Sequence, residues 1–241
     1  MRMSSARDQL IVALDVSSAA QAQKIVTALG DSVTFYKVGM QLYTAEGPGI
    51  VRDLIRAGRR VFLDLKYHDI PNTVGAAVRE AGKLGVSLLT VHGSGGSKML
   101  RAATEAARES NPALKVIAVT VLTSMDQDEL NEIMQGNLEE QVVHVAGLAL
   151  KAGCHGVVSS AREVRALRTR MGNDFLVITP GVRPAGAAHG DQARVVTPAE
   201  AIAAGSTHLV VGRPITAAPN PAREAEKIIQ EIEQAGQAVA R

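Results

Sequence analysis

The sequence predicts an α/β protein with a single domain, a (β/α)8 or TIM barrel. Short apolar runs rich in β-branched residues recur along the 241 residues, and each is followed by a loop and a segment with helical periodicity. Eight such runs are present, which allows about 30 residues per unit, the size of one strand with its returning helix. The runs are continuously apolar, as is typical of parallel strands that helices cover.

The units follow one another in a regular order. Glycines end several helices shortly before the next strand, because glycine readily adopts the left-handed conformation that closes a helix. The clearest helix start is Thr197-Pro198-Ala199-Glu200, with an N-cap threonine and a glutamate in the capping-box position. The predicted strands are 10–15, 33–38, 61–66, 88–92, 116–122, 156–159, 175–179 and 208–211. The helix-ending glycines are Gly30, Gly58, Gly85, Gly153, Gly172 and Gly205.

No Ser/Pro-rich tract or charge block marks a linker between these units. We therefore expect residues 1–241 to form one domain, with residues 1–8 as a loose N-terminal extension. An open, doubly wound parallel sheet is the alternative arrangement of the same units.

The composition excludes several classes of protein. The chain is 46% hydrophobic but only 2% aromatic and has no Trp, so it lacks the residues of immunoglobulin-type sandwiches, single-strand stacking surfaces and membrane aromatic belts. Its 26 Lys and Arg against 24 Asp and Glu give a formal charge of +2. We therefore expect no nucleic-acid partner, whereas an anionic small molecule is compatible with this charge.

Cysteine and histidine usage predicts neither a disulfide nor a metal site. Cys154 is the single cysteine, so it has no partner for an internal disulfide or a cysteine-based zinc site. The six histidines show no ligand spacing, although His68 and His92, at adjacent strand ends, could share a metal. With no apolar leader or membrane span in the sequence, we expect a cytoplasmic protein without a membrane partner.

Ionisable residues stand at the ends of the first three predicted strands, where a barrel places its active residues. They are Asp15, Lys37, Asp64 and Lys66, with Asp69 just beyond the third strand. Asp64 and Lys66 share one face because side chains alternate along a strand. Asp69 lies an odd number of positions from Asp64, so its placement beside the others needs the turn or another subunit.

Structural roles are the alternatives for these residues. Asp64 and Lys66 could form an ion pair without function, and Asp69 and Asp15 could each cap the helix that follows. Lys37 favours a functional site, because a second cation and a second carboxylate on one apolar rim are costly without a ligand to organise them.

The turns after strands seven and eight predict a phosphate site. They contain Gly181-Val182-Arg183 and Gly212-Arg213, and barrel enzymes often hold phosphate at these two positions with backbone N–H groups and a forked cation. The connections 123–137 and 181–194 are unusually long, so either could be a lid. Gln192, in the second connection, could close over the phosphate.

The stretch Asp64-Leu65-Lys66-Tyr67-His68-Asp69 resembles the Asp-x-Lys-x-x-Asp signature of the orotidine 5′-phosphate decarboxylase family. The resemblance extends along nearly the whole chain, and together its pieces are specific where the short signature alone is not. The supporting stretches are 13–15, 36–39, 122–124, 180–183 with Gln192, and 211–214.

This resemblance implies a cofactor-free, metal-free decarboxylase of pyrimidine biosynthesis that converts orotidine 5′-phosphate to UMP and CO2 in a homodimeric barrel. It implies a catalytic tetrad of Lys37, Asp64, Lys66 and Asp69, with Asp69 and Thr73 supplied across the dimer interface. The substrate-binding residues that it implies are Asp15 and Lys37 at the ribose, Thr123 and Ser124 by the pyrimidine, and Arg183, Gln192, Gly212 and Arg213 at the phosphate.

Electrostatics favours this chemistry over its rivals. Carboxylates flanking each lysine favour the ammonium form, so Lys66 suits a proton donor better than the amine nucleophile of a Schiff-base aldolase. Two alternatives remain open. One is a metal-dependent sugar-phosphate decarboxylase or aldolase of the same superfamily, in which an acidic residue tends to replace Lys37; the other is a non-catalytic nucleotide-binding barrel.

Overall fold

Eight parallel strands form a closed barrel in the computed structural model, which describes residues 5–184 and 196–239. Each strand pairs with its neighbour along the chain, and the eighth pairs with the first to close the sheet. The predicted barrel is therefore confirmed, and the open sheet is wrong. The strands are β1 (Leu10–Ala13), β2 (Phe35–Gly39), β3 (Arg60–Tyr67), β4 (Leu88–His92), β5 (Lys115–Val119), β6 (Gly156–Val158), β7 (Leu176–Thr179) and β8 (His208–Val211).

Helices fill the connections and cover the outside of the barrel. Within the described residues, none of them is long and apolar enough to cross a membrane. The helices are α1 (Ala6–Gln9), α2 (Ala19–Leu29), α3 (Met40–Glu46), α4 (Gly49–Arg56), α5 (Pro71–Lys83), α6 (Gly96–Ser110), α7 (Gln127–Ile133), α8 (Leu138–Lys151), α9 (Ala161–Met171), α10 (Pro198–Ala204), α11 (Arg213–Thr216) and α12 (Pro221–Val239).

The predicted helix signals are present in the structure. The side chain of Thr197 accepts a hydrogen bond from the backbone N–H of Glu200, and the Glu200 carboxylate accepts one from the Thr197 N–H, which completes the capping box of α10. All six helix-ending glycines have positive φ, the conformation that glycine adopts at little cost.

Aliphatic side chains build the core in two layers. One layer fills the barrel interior, where Phe35 and Phe62 pack with aliphatic residues from each of the other six strands. The other layer lies between the strands and the surrounding helices. The interior layer is the floor on which any site at the mouth of the barrel must rest.

The N-terminal residues contact the barrel near its lower end. Arg7 donates a hydrogen bond to the carbonyl of Ser32 and pairs with Glu226, and Asp8 pairs with Arg60. Residues 1–4 lie outside the described residues, so the loose extension stays a prediction for that part of the chain.

A buried histidine lies at the end of the barrel away from the predicted site. His208 begins β8, is 7% exposed and makes an edge-on contact with Phe35, over whose ring the Arg60 guanidinium lies. Burial, with smaller contributions from the nearby Arg60 and Lys115, lowers the pKa of His208 to about 4, against a smaller opposing effect of Asp8. His208 is therefore neutral in the folded protein near pH 6.

We expect the free energy of unfolding to fall as the pH decreases from about 6.5 to about 4. In this range the unfolded chain binds a proton at His208 that the folded protein does not bind, which costs up to about 3 kcal/mol of stability. His208→Gln should lose less stability than the unaltered protein over the same range in urea unfolding at several pH values. His144→Gln, at an exposed histidine, is the control; equal pH slopes for both variants would contradict the expectation.

Candidate active site

A cavity of about 380 Å³ opens at the carboxyl ends of the strands. Its floor is apolar and consists of interior core residues, and its rim carries the charged and glycine residues that the sequence singles out. The floor residues are Ala13, Phe62, Val119, Val158, Ile178 and Val210. The predicted site residues that line the cavity are Asp15, Lys37, Asp64, Lys66, Thr123, Arg183, Gly212 and Arg213.

Four of these residues form a chain of alternating charges across β1, β2 and β3. The Lys37 ammonium lies 2.8 Å from Asp15 Oδ1 and 3.6 Å from Asp64 Oδ2. The Lys66 ammonium lies 2.9 Å from the other oxygen of Asp64. Asp64 is thus held between two cations, and its side chain is only 13% exposed. The charge-assisted hydrogen bond from Lys66 to this shielded carboxylate is strong and fixes the lysine. Lys37 is held by its hydrogen bond to Asp15 and by the attraction of Asp64.

Asp15 does not cap the following helix. Ser18 is the N-cap of α2, where its side chain accepts from the Gln21 N–H. The Asp15 carboxylate instead accepts from Lys37, so the capping alternative for Asp15 is wrong.

Gly39 lets Lys37 and Asp15 meet. A Cβ atom at Gly39 would lie 2.8 Å from Lys37 Nζ and 3.1 Å from Asp15 Oδ1. The φ of Gly39 is −94°, a value that any residue adopts, so the need for glycine here is one of space and not of backbone conformation.

We expect Gly39→Ala to impair the site while leaving the fold nearly intact. The added methyl group must displace the ends of two flexible side chains, which costs the fold less than about 1 kcal/mol but shifts the Lys37 ammonium by some tenths of an ångström. Turnover should fall by about tenfold, because small misplacements of reacting groups are costly. Steady-state kinetics and thermal unfolding measure the two effects. Unchanged turnover would contradict the expectation; Gly236→Ala, in open space on α12, is the control.

Two arginines reach the cavity from the turns after β7 and β8. Arg183 is 7% exposed, and its Nε atom is buried without a hydrogen-bond partner. Burial lowers the pKa of Arg183, and the neighbouring Arg213 lowers it further. Placing a second positive charge beside the largely desolvated Arg183 guanidinium is unfavourable, and an anion that binds both arginines would offset the cost.

The comparisons with known proteins fit this geometry. The family described as "Orotidine 5′-phosphate decarboxylase / HUMPS family" matches residues 8–228. The chain belongs to this family.

Two curated relatives and one solved structure named for this family match this chain over nearly their whole lengths. Orotidine 5′-phosphate decarboxylase of Moorella thermoacetica is 51% identical over 235 residues, which cover 95% of this chain and 93% of that protein. The protein of that name from Heliobacterium modesticaldum is 48% identical over 234 residues, covering 94% and 96%. A crystal structure of orotidine 5′-phosphate decarboxylase from Lactobacillus acidophilus matches with a TM-score of 0.83 and 41% identity, covering 92% of this chain and 98% of that one.

Asp69 and Thr73, which the family resemblance places in the site, do not reach the cavity of their own chain. Both are exposed. The Asp69 carboxylate accepts a hydrogen bond from the Ile70 N–H at 2.6 Å, and α5 has no side-chain cap. The capping alternative for Asp69 is therefore wrong, and a single chain brings together three members of the expected tetrad.

Of the two residues expected beside the pyrimidine, one lines the cavity and the other does not. Thr123 lines the cavity, whereas Ser124 is exposed and does not line it. The connection 123–137 contains helix α7, so it is not an irregular loop. A capping box formed by Asp126 and Glu129 begins this helix. Gln192 and most of 181–194 lie outside the described residues. The lid functions of both connections stay predictions.

The other candidates from the sequence are the histidine pair His68 and His92 and the single cysteine, Cys154. The rings of His68 and His92 stack at 5.1 Å between centroids, and burial lowers the pKa of His92, with His68 and Lys66 adding to the effect. Burial raises the pKa of the Cys154 thiol to about 12, so it is inert as a nucleophile. Among the described residues, no three His, Cys, Asp or Glu side chains form a group that could hold a metal ion.

Sequence reasoning missed the backbone of Lys66. Its φ is +50°, the one positive value outside glycine among residues 5–184 and 196–239. The pairing of β3 with β4 shifts register between Leu63 and Tyr67. Lys66 therefore reaches Asp64 from a bulge and not from a regular strand, and the strand pattern alone carries no signal for a bulge.

Proposed function

We propose that this chain converts orotidine 5′-phosphate to UMP and CO2, without a cofactor or a metal ion. The chain of alternating charges from Asp15 to Lys66 carries this proposal, since it stands over an apolar floor in the same cavity as two arginines. Family membership supports the same reaction, because the curated relatives are named for it.

The cavity offers a place for each part of this substrate. The phosphate dianion binds between Arg183 and Arg213 and takes up the unpaired Nε–H of Arg183. The Gly212 backbone leaves room for a close approach of the phosphate. The ribose hydroxyls bind Asp15 and Lys37, and the pyrimidine lies on the apolar floor beside Thr123.

Lys66 is the acid in the proposed reaction. The bond between C6 of the pyrimidine and the carboxylate carbon breaks, CO2 leaves, and the electron pair stays on C6. The Lys66 ammonium stabilises this charge and gives its proton to C6, which forms UMP, and water then returns a proton to the lysine. Since Lys66 already lies 2.9 Å from Asp64, the ammonium is in place before the reaction begins.

Charge stabilisation outweighs repulsion in this scheme. Asp64 repels a substrate carboxylate at 4 Å by about 4 kcal/mol at an effective dielectric constant near 20. Enzymes lower barriers by about 8–23 kcal/mol. Most of the effect must therefore come from the preorganised stabilisation of the carbanion, and ground-state repulsion is secondary.

A homodimer completes the tetrad in this proposal, with Asp69 and Thr73 of one subunit reaching the cavity of the other. The exposure of both residues supports it, as does Ile70 between them, an apolar side chain that is 66% exposed in the single chain. A partner subunit that covers this segment would bury the Ile70 side chain together with Asp69 and Thr73.

Subunit mixing tests the shared site. Lys66→Ala and Asp69→Asn should each be inactive alone, but mixed dimers place both substitutions in one site and leave the other site intact. After complete exchange about a quarter of the sites should be active. A mixture that stays as inactive as its components would contradict the dimer contribution, whereas activity of Asp69→Asn alone would remove Asp69 from the tetrad.

The reaction itself is tested by following the loss of orotidine 5′-phosphate absorbance with excess EDTA present. We expect full turnover. Turnover that chelation abolishes would favour the metal-dependent sugar-phosphate decarboxylase or aldolase, and binding of UMP without any turnover would favour the non-catalytic nucleotide-binding barrel. Lys37 bridges Asp15 and Asp64 here, which an acidic residue at that position could not do.

The cellular setting is part of the proposal. The single cysteine is buried and fits a reducing compartment, so we propose a cytoplasmic enzyme whose partners are its nucleotide substrate and a second copy of itself. The near balance of charge supports the absence of a nucleic-acid partner.

A further inference from the structure

Thr90, on β4, forms hydrogen bonds with both Asp64 and Lys66. Its hydroxyl accepts a hydrogen bond from the Lys66 backbone N–H at 2.9 Å and donates one to Asp64 Oδ1 at 3.0 Å. The same carboxylate oxygen accepts from Lys66 Nζ at 2.9 Å. These three bonds close a ring that ties the backbone of Lys66 to its own ammonium group.

The bulge in β3 explains why Lys66 needs this partner. Leu63 pairs with Leu89 and Tyr67 pairs with Val91, so four steps along β3 correspond to two steps along β4. Residues in a bulge lose regular ladder partners. Thr90 lies between the two paired residues of β4, opposite the bulge. Its side chain accepts a hydrogen bond from the Lys66 N–H, which has no regular ladder partner.

The backbone of Lys66 also needs support because it is strained. A positive φ is unfavourable for a residue with a Cβ atom, and it persists where surrounding contacts over-determine it. Thr90 is completely buried and does not line the cavity. Its hydroxyl therefore acts on the protein alone and makes no contact with a ligand in the cavity.

We infer that Thr90 is a positioning residue for the decarboxylation: its hydroxyl holds Lys66 in the left-handed bulge and fixes the Asp64 carboxylate, so that the Lys66 ammonium points at C6. This inference rests on the proposed function. A valine at position 90 has nearly the shape of threonine but can neither accept from the Lys66 N–H nor donate to Asp64.

The test compares Thr90→Val with Thr90→Ser in the purified enzyme. Thr90→Val should lower kcat by about tenfold to a hundredfold, because misplacement by a fraction of an ångström is costly. KM and the dissociation constant of UMP should change by less than about threefold, since interactions made only in the transition state affect kcat and kcat/KM alike. Thr90→Ser keeps the hydroxyl and should restore most of kcat.

Thr207→Val is the matched control. The Thr207 hydroxyl likewise bonds the backbone of a neighbouring strand. It accepts a hydrogen bond from the Val177 N–H at 3.0 Å and donates one to the Val177 carbonyl at 2.9 Å. Thr207 precedes β8 at the other end of the barrel. Its substitution should reduce stability and leave kcat unchanged.

The outcomes separate the two proposals. Turnover by the unaltered enzyme with an unchanged kcat in Thr90→Val would overturn the positioning role alone, as would a loss of kcat that serine does not restore. No turnover by the unaltered enzyme would overturn the proposed function, and this inference with it. If Thr90→Val does not fold, Thr90→Ala against Thr90→Ser decides, because these two variants differ only by the hydroxyl.

Discussion

Replacing Lys66 with alanine is expected to abolish turnover while leaving the binding of UMP nearly unchanged. The substitution removes both the cation beside the developing carbanion and the proton that quenches it. General acid catalysis alone contributes about 10²–10⁴-fold, and the loss of a preorganised charge adds to it. We expect kcat to fall by at least about 10⁴-fold, measured with enough enzyme to detect a slow loss of substrate absorbance.

Two comparisons make this result specific to the site. Lys83→Ala removes an exposed lysine of α5 that pairs with Glu80, and it should leave kcat unchanged. Titration with UMP should show that Lys66→Ala still binds the product, because the arginines and Lys37 remain. A kcat for Lys66→Ala within tenfold of the unaltered enzyme would remove Lys66 from the role of acid.

Replacing Arg213 with methionine is expected to lower kcat/KM by about 10²–10³-fold. The substitution removes one of two cations from the phosphate site. Each hydrogen bond to a charged group contributes about 1.5–3 kcal/mol, and a guanidinium can form two of them with one phosphate. Part of the loss should appear in kcat, since binding energy from a remote group is used to organise the reacting centre. Steady-state kinetics with orotidine 5′-phosphate measures both constants.

Orotidine, which lacks the phosphate, provides the control for this prediction. The unaltered enzyme should turn over orotidine far more slowly than the nucleotide, and Arg213→Met should cause little further loss with this substrate, because the contact is already absent. Arg56→Met, at an exposed arginine that pairs with Asp53, should behave as the unaltered enzyme with both substrates. An equal loss in Arg213→Met with and without the phosphate would show that Arg213 supports the fold and not the phosphate.

The fold could be predicted because its determinants are local. Continuous apolar runs indicate parallel strands, and the regular unit length indicates their number. Capping residues such as Thr197 and Glu200 mark a helix end through contacts within one turn. The exact ends of the strands follow less directly from the sequence: β5 ends at Val119, three residues before the predicted boundary of 122.

Part of the site could be predicted from a positional rule. Active residues of a barrel lie at the carboxyl ends of its strands, and this rule alone brings Asp15, Lys37, Asp64, Lys66 and the two arginine turns to one cavity. Each of these residues is recognisable because it is polar where an apolar residue is expected.

The rest depends on contacts between distant segments. The bulge at Lys66 follows from the register of β3 against β4, and the role of Thr90 follows from that bulge. The lack of space at Gly39 becomes visible only once Lys37 and Asp15 have met. The expected position of Asp69 in the site likewise cannot be derived from local sequence, because it depends on a second chain.

Turnover of orotidine 5′-phosphate in D2O with excess EDTA tests the central claim most directly. Mass spectrometry and NMR of the product should show UMP with a single deuterium at C6, and CO2 should form in an amount equal to the substrate consumed. This result is expected because the Lys66 ammonium exchanges its protons with the solvent before it delivers one to the carbanion. Unconsumed substrate, or UMP without deuterium at C6, would contradict the account.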